Sequence, residues 1–372
     1  MSKRRVLILG VGAAQADALR WCRDAGMEVH ACGLAGTSQG LADHFVPLDV
    51  RDAAAVTEYA RRREIALVHS VGSDIAMPTA SAASEQLGLP HFVSADIART
   101  CQRKHLLRQA LGPDFRGNLS FRLVTSTADL AGWTVFPCVV KPADSQGQRG
   151  VFFAAGPAEL DACYPASRGH SPSGQVIIEA LARGPEVSAN AYVVDGELRF
   201  LQVTDRIVFD EYPGGIIKAH RIPSARARDD TRAAVRGLVE RVIARLGIKN
   251  GPVYFQIKLT EAGPALIEVT PRLDGCHLWR LIREYCGTDL LDHTFRHLLG
   301  QPLPSLEKKP GGRTLVLKFL CQPPGTPVAR TSFEPGSYLH RELYYEPGET
   351  VRPINGHMER VGYLIRPDTP CA

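Results

Sequence analysis

Over residues 1–95, short apolar runs alternate with stretches of helical period. RVLILG reads as a buried strand, and AAQADALRWCRDAG as a helix with Ala18, Cys22 and Ala25 on one face and Gly26 as its stop; MEVHAC reads as the next strand. The cycle repeats through VTEYARRRE, IALVHSVG and a helix that ends before Gly88. Such alternation predicts a parallel sheet covered by helices. Residues 96–180 hold a helix around Lys104 and a hairpin around Lys141, the pattern of a small α+β lid. Residues 181–305 supply a larger α+β half. Its amphipathic helix over 229–247 sets Ala233, Leu238, Val242 and Leu246 in an apolar stripe that Gly247 terminates. The runs TLVLKFLC and RVGYLI, between Pro/Gly-rich turns, predict a small β-rich cap over 306–372. The fold class expected is therefore α/β plus α+β, in three units: 1–95, 96–305 and 306–372.

Composition narrows the class of molecule without choosing a chemistry. The 372 residues suffice for two or three domains with sizeable cores. No apolar run approaches the about 18 residues that suggest a membrane span, and MSKRRVLILGVG is read as a first strand, not a signal peptide, so a cytoplasmic location is expected. Nine cysteines without a Cys-x-x-Cys pair argue against a disulfide framework or a zinc site. The net charge of +5 comes without long basic runs or basic patches interleaved with aromatics, so nucleic-acid binding has no support. The Gly10-Val-Gly12 turn lacks the third glycine of a dinucleotide fingerprint, and no acidic residue ends the second strand near Gly33. Ser73 and Asp74, at the end of IALVHSVG, are expected to cap the following helix more than to bind a ligand.

Three motifs carry candidate chemistry. VYFQIKLTEAGPALIEVTPRLDG, residues 253–275, reads as two strands, Phe255 to Leu259 and Ala265 to Val269, joined by a Thr-Glu-Ala-Gly turn. The hairpin brings Gln256 and Glu268 into one neighbourhood. One carboxylate helped by an amide suffices for a Mg²⁺ whose other ligands come from phosphates, and the alternative is an edge hairpin with solvated polar residues. FPCVVKPADSQGQRGV, residues 136–151, delivers Lys141 from a strand into a loop containing Ser145, Gly147 and Gly150, small residues that let backbone N–H groups approach an anion. It is not a Walker loop, because the lysine precedes the glycines; a polar hairpin is its alternative. In VIIEALARGPEVSANAYVVDGEL, residues 176–198, a buried run ends at Glu179 and a Gly-Pro turn leads to Glu186. A linker of that kind can present backbone groups to an adenine edge, although two acids flanking a turn are common.

In this order and spacing the motifs resemble the ATP-grasp superfamily, in its carboxylate–amine ligase branch related to biotin carboxylase and the early purine-pathway ligases, over roughly residues 1–305. The resemblance implies a Rossmann-like N-terminal domain followed by a two-lobed ATP-grasp domain with ATP between the lobes. It implies Lys104 and Lys141 as phosphate-binding lysines, and a loop from Ser145 through Gly147 to Gly150 over the β- and γ-phosphates. Glu179 with the Ala180 and Leu181 backbone would hold adenine, and Glu186 the ribose. Glu268 would bind Mg²⁺ or Mn²⁺, with Gln256 and Thr270 as further oxygen ligands, and Arg272 would face the substrate carboxylate or acyl phosphate. Gln256 and Thr270 stand where relatives often carry an acid and an asparagine, which weakens metal affinity in the absence of nucleotide.

DEYPGGIIKAHRIPSA, residues 210–225, adds Lys218 and His220, a basic pair that either lies over the substrate or belongs to an exposed hairpin. Cys276 and His277 are adjacent on an extended segment, where side chains point to opposite faces, and so do not make a nucleophile pair. The chemistry implied is an ADP-forming ligase that activates a small carboxylate, such as an amino acid, as an acyl phosphate and joins it to an amine. Alternatives are a carboxylase using bicarbonate, and a nucleotide-binding regulatory protein without turnover. The partners expected are small-molecule acid and amine, with a homodimer allowed for, and neither nucleic acid nor membrane.

Overall fold

A computed structural model describes residues 3–368, apart from 35, 146–148, 213–214, 310–312, 330–331, 333–336 and 355–357. The N-terminal alternation folds as β1 (Arg5–Leu9), α1 (Ala16–Asp24), β2 (Glu28–Cys32), β3 (His44–Val46), α2 (Ala53–Arg62) and β4 (Leu67–His69), with a parallel sheet in the order β3-β2-β1-β4. Val6 to Leu9 are wholly buried, as a strand covered by helices on both faces requires. On α1, Ala18 and Cys22 face the core while Ala25 falls just past the helix end and is exposed. Gln15 closes the Gly10–Gly12 turn: its Oε1 accepts from the Gly12 N–H at 2.9 Å and its amide donates to the Val71 carbonyl.

Three helices, α3 (Met77–Leu87), α4 (Ala95–Gln102) and α5 (Lys104–Leu111), lead to the lid. There β5 (Phe121–Val124), β6 (Cys138–Pro142), β7 (Phe152–Ala154) and β8 (Val176–Ala180) pair antiparallel in the order β5-β8-β6-β7. Helix α6 (Pro157–Gly169) buries Leu160 and Tyr164 against Val140 and Ile178 of that sheet.

The larger half is one eight-stranded sheet. It contains β9 (Glu186–Val194), β10 (Glu197–Val208), β11 (Ile217–Ile222), β12 (Gly251–Thr260) and β13 (Gly263–Thr270). Between β11 and β12 runs α7 (Asp229–Leu246), whose Val235, Leu238, Val239, Val242, Ile243 and Leu246 pack on Val187, Ala189 and Phe255, while Ala233 lies off the stripe. Truncating Leu238 to alanine there would cost about 2–5 kcal/mol. After α8 (Leu278–Cys286) and α9 (Leu290–Leu298) come β14 (Leu315–Gln322), β15 (His340–Leu343) and β16 (Glu359–Pro367). The C-terminal segment is thus not a sheet of its own: the strand order is β13-β12-β9-β10-β11-β14-β16-β15. Pairing β14 with β11, from Ala219↔Lys318 to Ile222↔Leu315, satisfies backbone groups that an edge strand would leave open. Among the described residues no helix is long and apolar enough to cross a membrane.

Two glycines decide how these parts meet. Gly184 has φ +139, and a Cβ there would stand 2.0 Å from the Leu259 carbonyl oxygen, so only glycine lets the linker after β8 cross β12 and deliver Glu186. Gly72 has φ +70 and its N–H donates to Leu273 at 3.2 Å. A Cβ would sit 2.7 Å from that of Ala14 and 3.1 Å from Gly275 Cα. That close approach carries Asp74 to the loop after β13.

Candidate active site

The lid, the N-terminal domain and the large sheet enclose a cleft of about 440 Å³. Its walls include Asp74 before α3, Lys104 on α5, Lys141 and Ser145 at the end of β6, Glu179 to Ala182 after β8, Glu186 on β9, and Gln256 and Glu268 on β12 and β13. Residues dispersed over nearly two hundred positions of sequence converge because strands of the lid and of the large sheet, the segment before α3 and helix α5 border one space.

At its base lies a buried triad. Glu179 Oε1 accepts from Arg108 Nε at 2.9 Å and its Oε2 meets Lys141 Nζ at 2.5 Å. Burial opposes the charged carboxylate, yet Arg108 and Lys141 outweigh it and hold Glu179 at about 2. For Lys141 burial wins, and its pKa lies below the ordinary value despite Glu179. Arg108 is anchored further by Asn118 Oδ1 at 3.3 Å and the Ile267 carbonyl at 3.1 Å. Lys104 donates to the Ser145 carbonyl at 3.2 Å, tying α5 to the glycine loop. Gly150 has φ +74 beside His170, and Gly147 lies outside the described residues. The N–H groups of Ala180 and Leu181 already donate to Ser120 and Pro137 at 2.9 and 3.0 Å, so neither is open to a ligand as a donor.

A second polar group surrounds Glu186, which takes Gln256 Nε2 at 2.6 Å, Lys258 Nζ at 3.3 Å and the Arg206 guanidinium. Gln256 and Glu268 are direct register partners across the β12–β13 hairpin, and Thr270 follows on the same face. Thr270 is buried and does not line the cleft, and its Oγ1 has no hydrogen-bond partner among the described residues. One carboxylate, one amide and one orphaned hydroxyl fit a hard cation that completes its shell from phosphates.

Two further expected site residues lie outside the lining, as Thr270 does. Arg272 is buried outside the lining, with Nε and Nη2 on Asp74 Oδ1 at 2.7 and 2.5 Å and Nη1 on the Leu273 carbonyl at 2.9 Å. Asp74 is therefore no helix cap; α3 begins at Met77 without a side-chain cap. His220 is wholly buried on β11 and is absent from the cleft wall; burial first, and then the nearby Arg206 and Arg360, keep its pKa well below the ordinary value. Cys276 and His277 lie in the turn before α8, not on a strand.

Residues 134–278, which include β6 to β13, match the family model described as ATP-grasp domain. The chain carries an ATP-grasp domain. Its curated relatives include carnosine synthase 1 of Gallus gallus, 25% identical over 351 residues that cover 85% of this chain and 37% of the relative. Dapdiamide A synthase of Enterobacter agglomerans is 23% identical over 55% of this chain and 50% of its own. The chain spans half or less of the length of these two relatives. Among solved structures, L-amino acid ligase from Bacillus licheniformis superposes with a TM-score of 0.80 at 19% identity, covering 98% of this chain and 93% of that one, so the shared fold extends beyond the ATP-grasp domain to both ends.

The lining also contains cations that the motifs did not reveal: Arg206 on β10, Lys258 on β12 and Arg360 on β16. Arg360 stacks 3.8 Å over the Phe319 ring and reaches Cys276 Sγ at 3.6 Å. Among the described residues no carboxylate bonds it. These residues sit on three separate strands of the large sheet, without a local signature.

Proposed function

We propose that this protein is an ADP-forming ligase that uses MgATP to phosphorylate a small carboxylate, an amino acid or close analogue, and passes the acyl group to an amine. The observation that carries the reading is the single cleft in which Lys104, Lys141, Glu179, Glu186, Gln256 and Glu268 meet. Lys104 and Lys141 neutralise phosphate oxygens, with Ser145 and Gly150 bounding the loop assigned to the β- and γ-phosphates. Glu179 and the Ala180 and Leu181 carbonyls face the adenine amino group, and the N–H of Ala182 serves as the linker's donor. Glu186 holds the ribose hydroxyls. Glu268, with the Gln256 carbonyl and Thr270 hydroxyl, binds the Mg²⁺ that accompanies ATP. Arg360 receives the acid's carboxylate or the acyl phosphate, while Arg272 positions Asp74 beside them.

In this reading the protein contributes placement and charge neutralisation more than covalent chemistry. Closure of the lid keeps water from the acyl phosphate. The amine-ligase reading is preferred to a bicarbonate-using one because the curated relatives named above are, by their names, a carnosine synthase and a dapdiamide synthase. The test is ADP release across pairs of amino acids and organic acids, with hydroxylamine as a general amine. Stimulation by an acid–amine pair supports the ligase; dependence on bicarbonate alone, or no stimulated release, contradicts it.

A further inference from the structure

The parallel sheet carries a second convergence of ligand-type side chains, outside the cleft lining. Glu28 and His30 lie two residues apart on β2 and so share a face. His44, on the short edge strand β3, is the register partner of His30. Glu28 Oε1 stands 3.1 Å from His30 Nε2 and 3.3 Å from His44 Nε2, and the three ligand atoms all lie within 4.8 Å of one another. In a tetrahedral zinc centre with bonds of about 2.0–2.2 Å, neighbouring ligand atoms are about 3.3 Å apart. Two edges of the triangle already have that length, and a modest turn of the exposed His44 ring closes the third.

The surroundings supply what ligands of this type need behind them. His30 Nδ1 meets the Tyr59 hydroxyl at 2.8 Å, and Glu28 Oε2 accepts from Arg5 Nε at 3.3 Å. A tyrosine oxygen can accept the Nδ1 proton, which leaves the Nε2 lone pair for a metal. Arg5 engages one carboxylate oxygen and leaves Oε1 between the imidazoles. His30 is 1% exposed, whereas His44 is exposed at the sheet edge and offers an entry path and a water-filled fourth position. Without metal, the same atoms are satisfied by imidazole N–H groups donating to the carboxylate, so the cluster is preformed in either state. The positive charges of Arg5 and Arg63 beside it limit the affinity.

We propose that Glu28, His30 and His44 form a three-ligand site for a divalent transition metal of the zinc class, pinning the edge strand β3 to β2. Two imidazoles favour such an ion over Mg²⁺ or Ca²⁺.

The metal-free full-length protein is titrated with Co²⁺, read by its visible absorption, and with Zn²⁺, read by calorimetry and thermal melting, in excess Mg²⁺ to occupy the oxygen-rich site. One equivalent with a tetrahedral cobalt spectrum and a raised melting temperature is expected. His44→Ala, which removes an exposed ring and leaves the core intact, abolishes both signals while the metal-free melt is unchanged. Tyr59→Phe weakens binding by roughly 10–100-fold, and Glu268→Gln has no effect on it. Absence of binding, equal binding by His44→Ala, or a thiolate-to-cobalt charge-transfer band that places the ion on cysteines overturns the proposal.

Discussion

Replacing Lys141 with methionine separates what the buried triad does for folding from what it does for phosphate. The ammonium stands 2.5 Å from Glu179 Oε2, and both side chains are almost wholly buried. Methionine keeps much of the stem and removes the charge. Glu179 then keeps Arg108 at 2.9 Å, and Arg108 keeps Asn118 and the Ile267 carbonyl. The loss is one charge-assisted hydrogen bond, worth about 1.5–3 kcal/mol, reduced because the ammonium no longer has to be desolvated. Glu179→Gln is the contrasting perturbation: it leaves two buried cations facing each other without a counter-charge, at about 3–5 kcal/mol. Lys141→Met should therefore fold and melt only slightly lower, whereas Glu179→Gln should melt far lower. In the ADP-release assay Lys141→Met should lose roughly 100–1000-fold, the effect of deleting one preorganised charge contact in a site shielded from water. Circular dichroism melting and ADP release on the same preparations make the comparison. A folded Lys141→Met with near-normal release would show Lys141 to be a structural lysine and would refute the phosphate assignment.

Because Glu179 is held at about 2 against an ordinary 4.5, its contribution to stability is complete above about pH 4.5 and is lost as pH falls toward 2; acid unfolding should follow that window and flatten in Glu179→Gln. Gln256→Glu would set a carboxylate against Glu186, 2.6 Å from the present amide, so it should melt lower without Mg²⁺, recover with it and need less Mg²⁺ for turnover, whereas Glu268→Gln should need far more; equal, mild Mg²⁺ titrations of both would remove the hairpin as the metal site. Arg360→Lys should raise the KM for the acid with little change in nucleotide affinity, since a lysine cannot reproduce a planar fork. Arg272→Lys, which loosens Asp74, should lower both stability and turnover, and an Arg272→Lys variant that behaves as wild type would exclude that positioning role.

The parts of this protein that were legible in the sequence are those fixed by local pattern. The β12–β13 hairpin follows from two alternating runs around a turn, and its pairing of Gln256 with Glu268 is within a strand's reach of the expectation. The end of α7 at Gly247 and the N-terminal strand–helix alternation likewise depend on neighbouring residues. What escaped depends on distant chain. His220 and Lys218 form an accessible basic pair by sequence, but β14, about a hundred residues later, makes β11 an inner strand, in which His220 is buried while Lys218 stays exposed. Arg272 follows the metal glutamate and invites a substrate role, yet Gly72 brings Asp74 across from the N-terminal domain to occupy its fork. Arg108 gave no signal in a helix of ordinary amphipathic period, although it sets the charge of Glu179.

The central claim is that the acid is activated by phosphoryl transfer in this cleft, and isotope transfer tests it most directly. Turnover with a carboxylate substrate labelled with ¹⁸O on both oxygens should place one label in the inorganic phosphate released beside ADP, because the carboxylate oxygen that attacks the γ-phosphorus leaves with it when the amine displaces phosphate. Label recovered in AMP, or phosphate free of label despite turnover, would contradict the account.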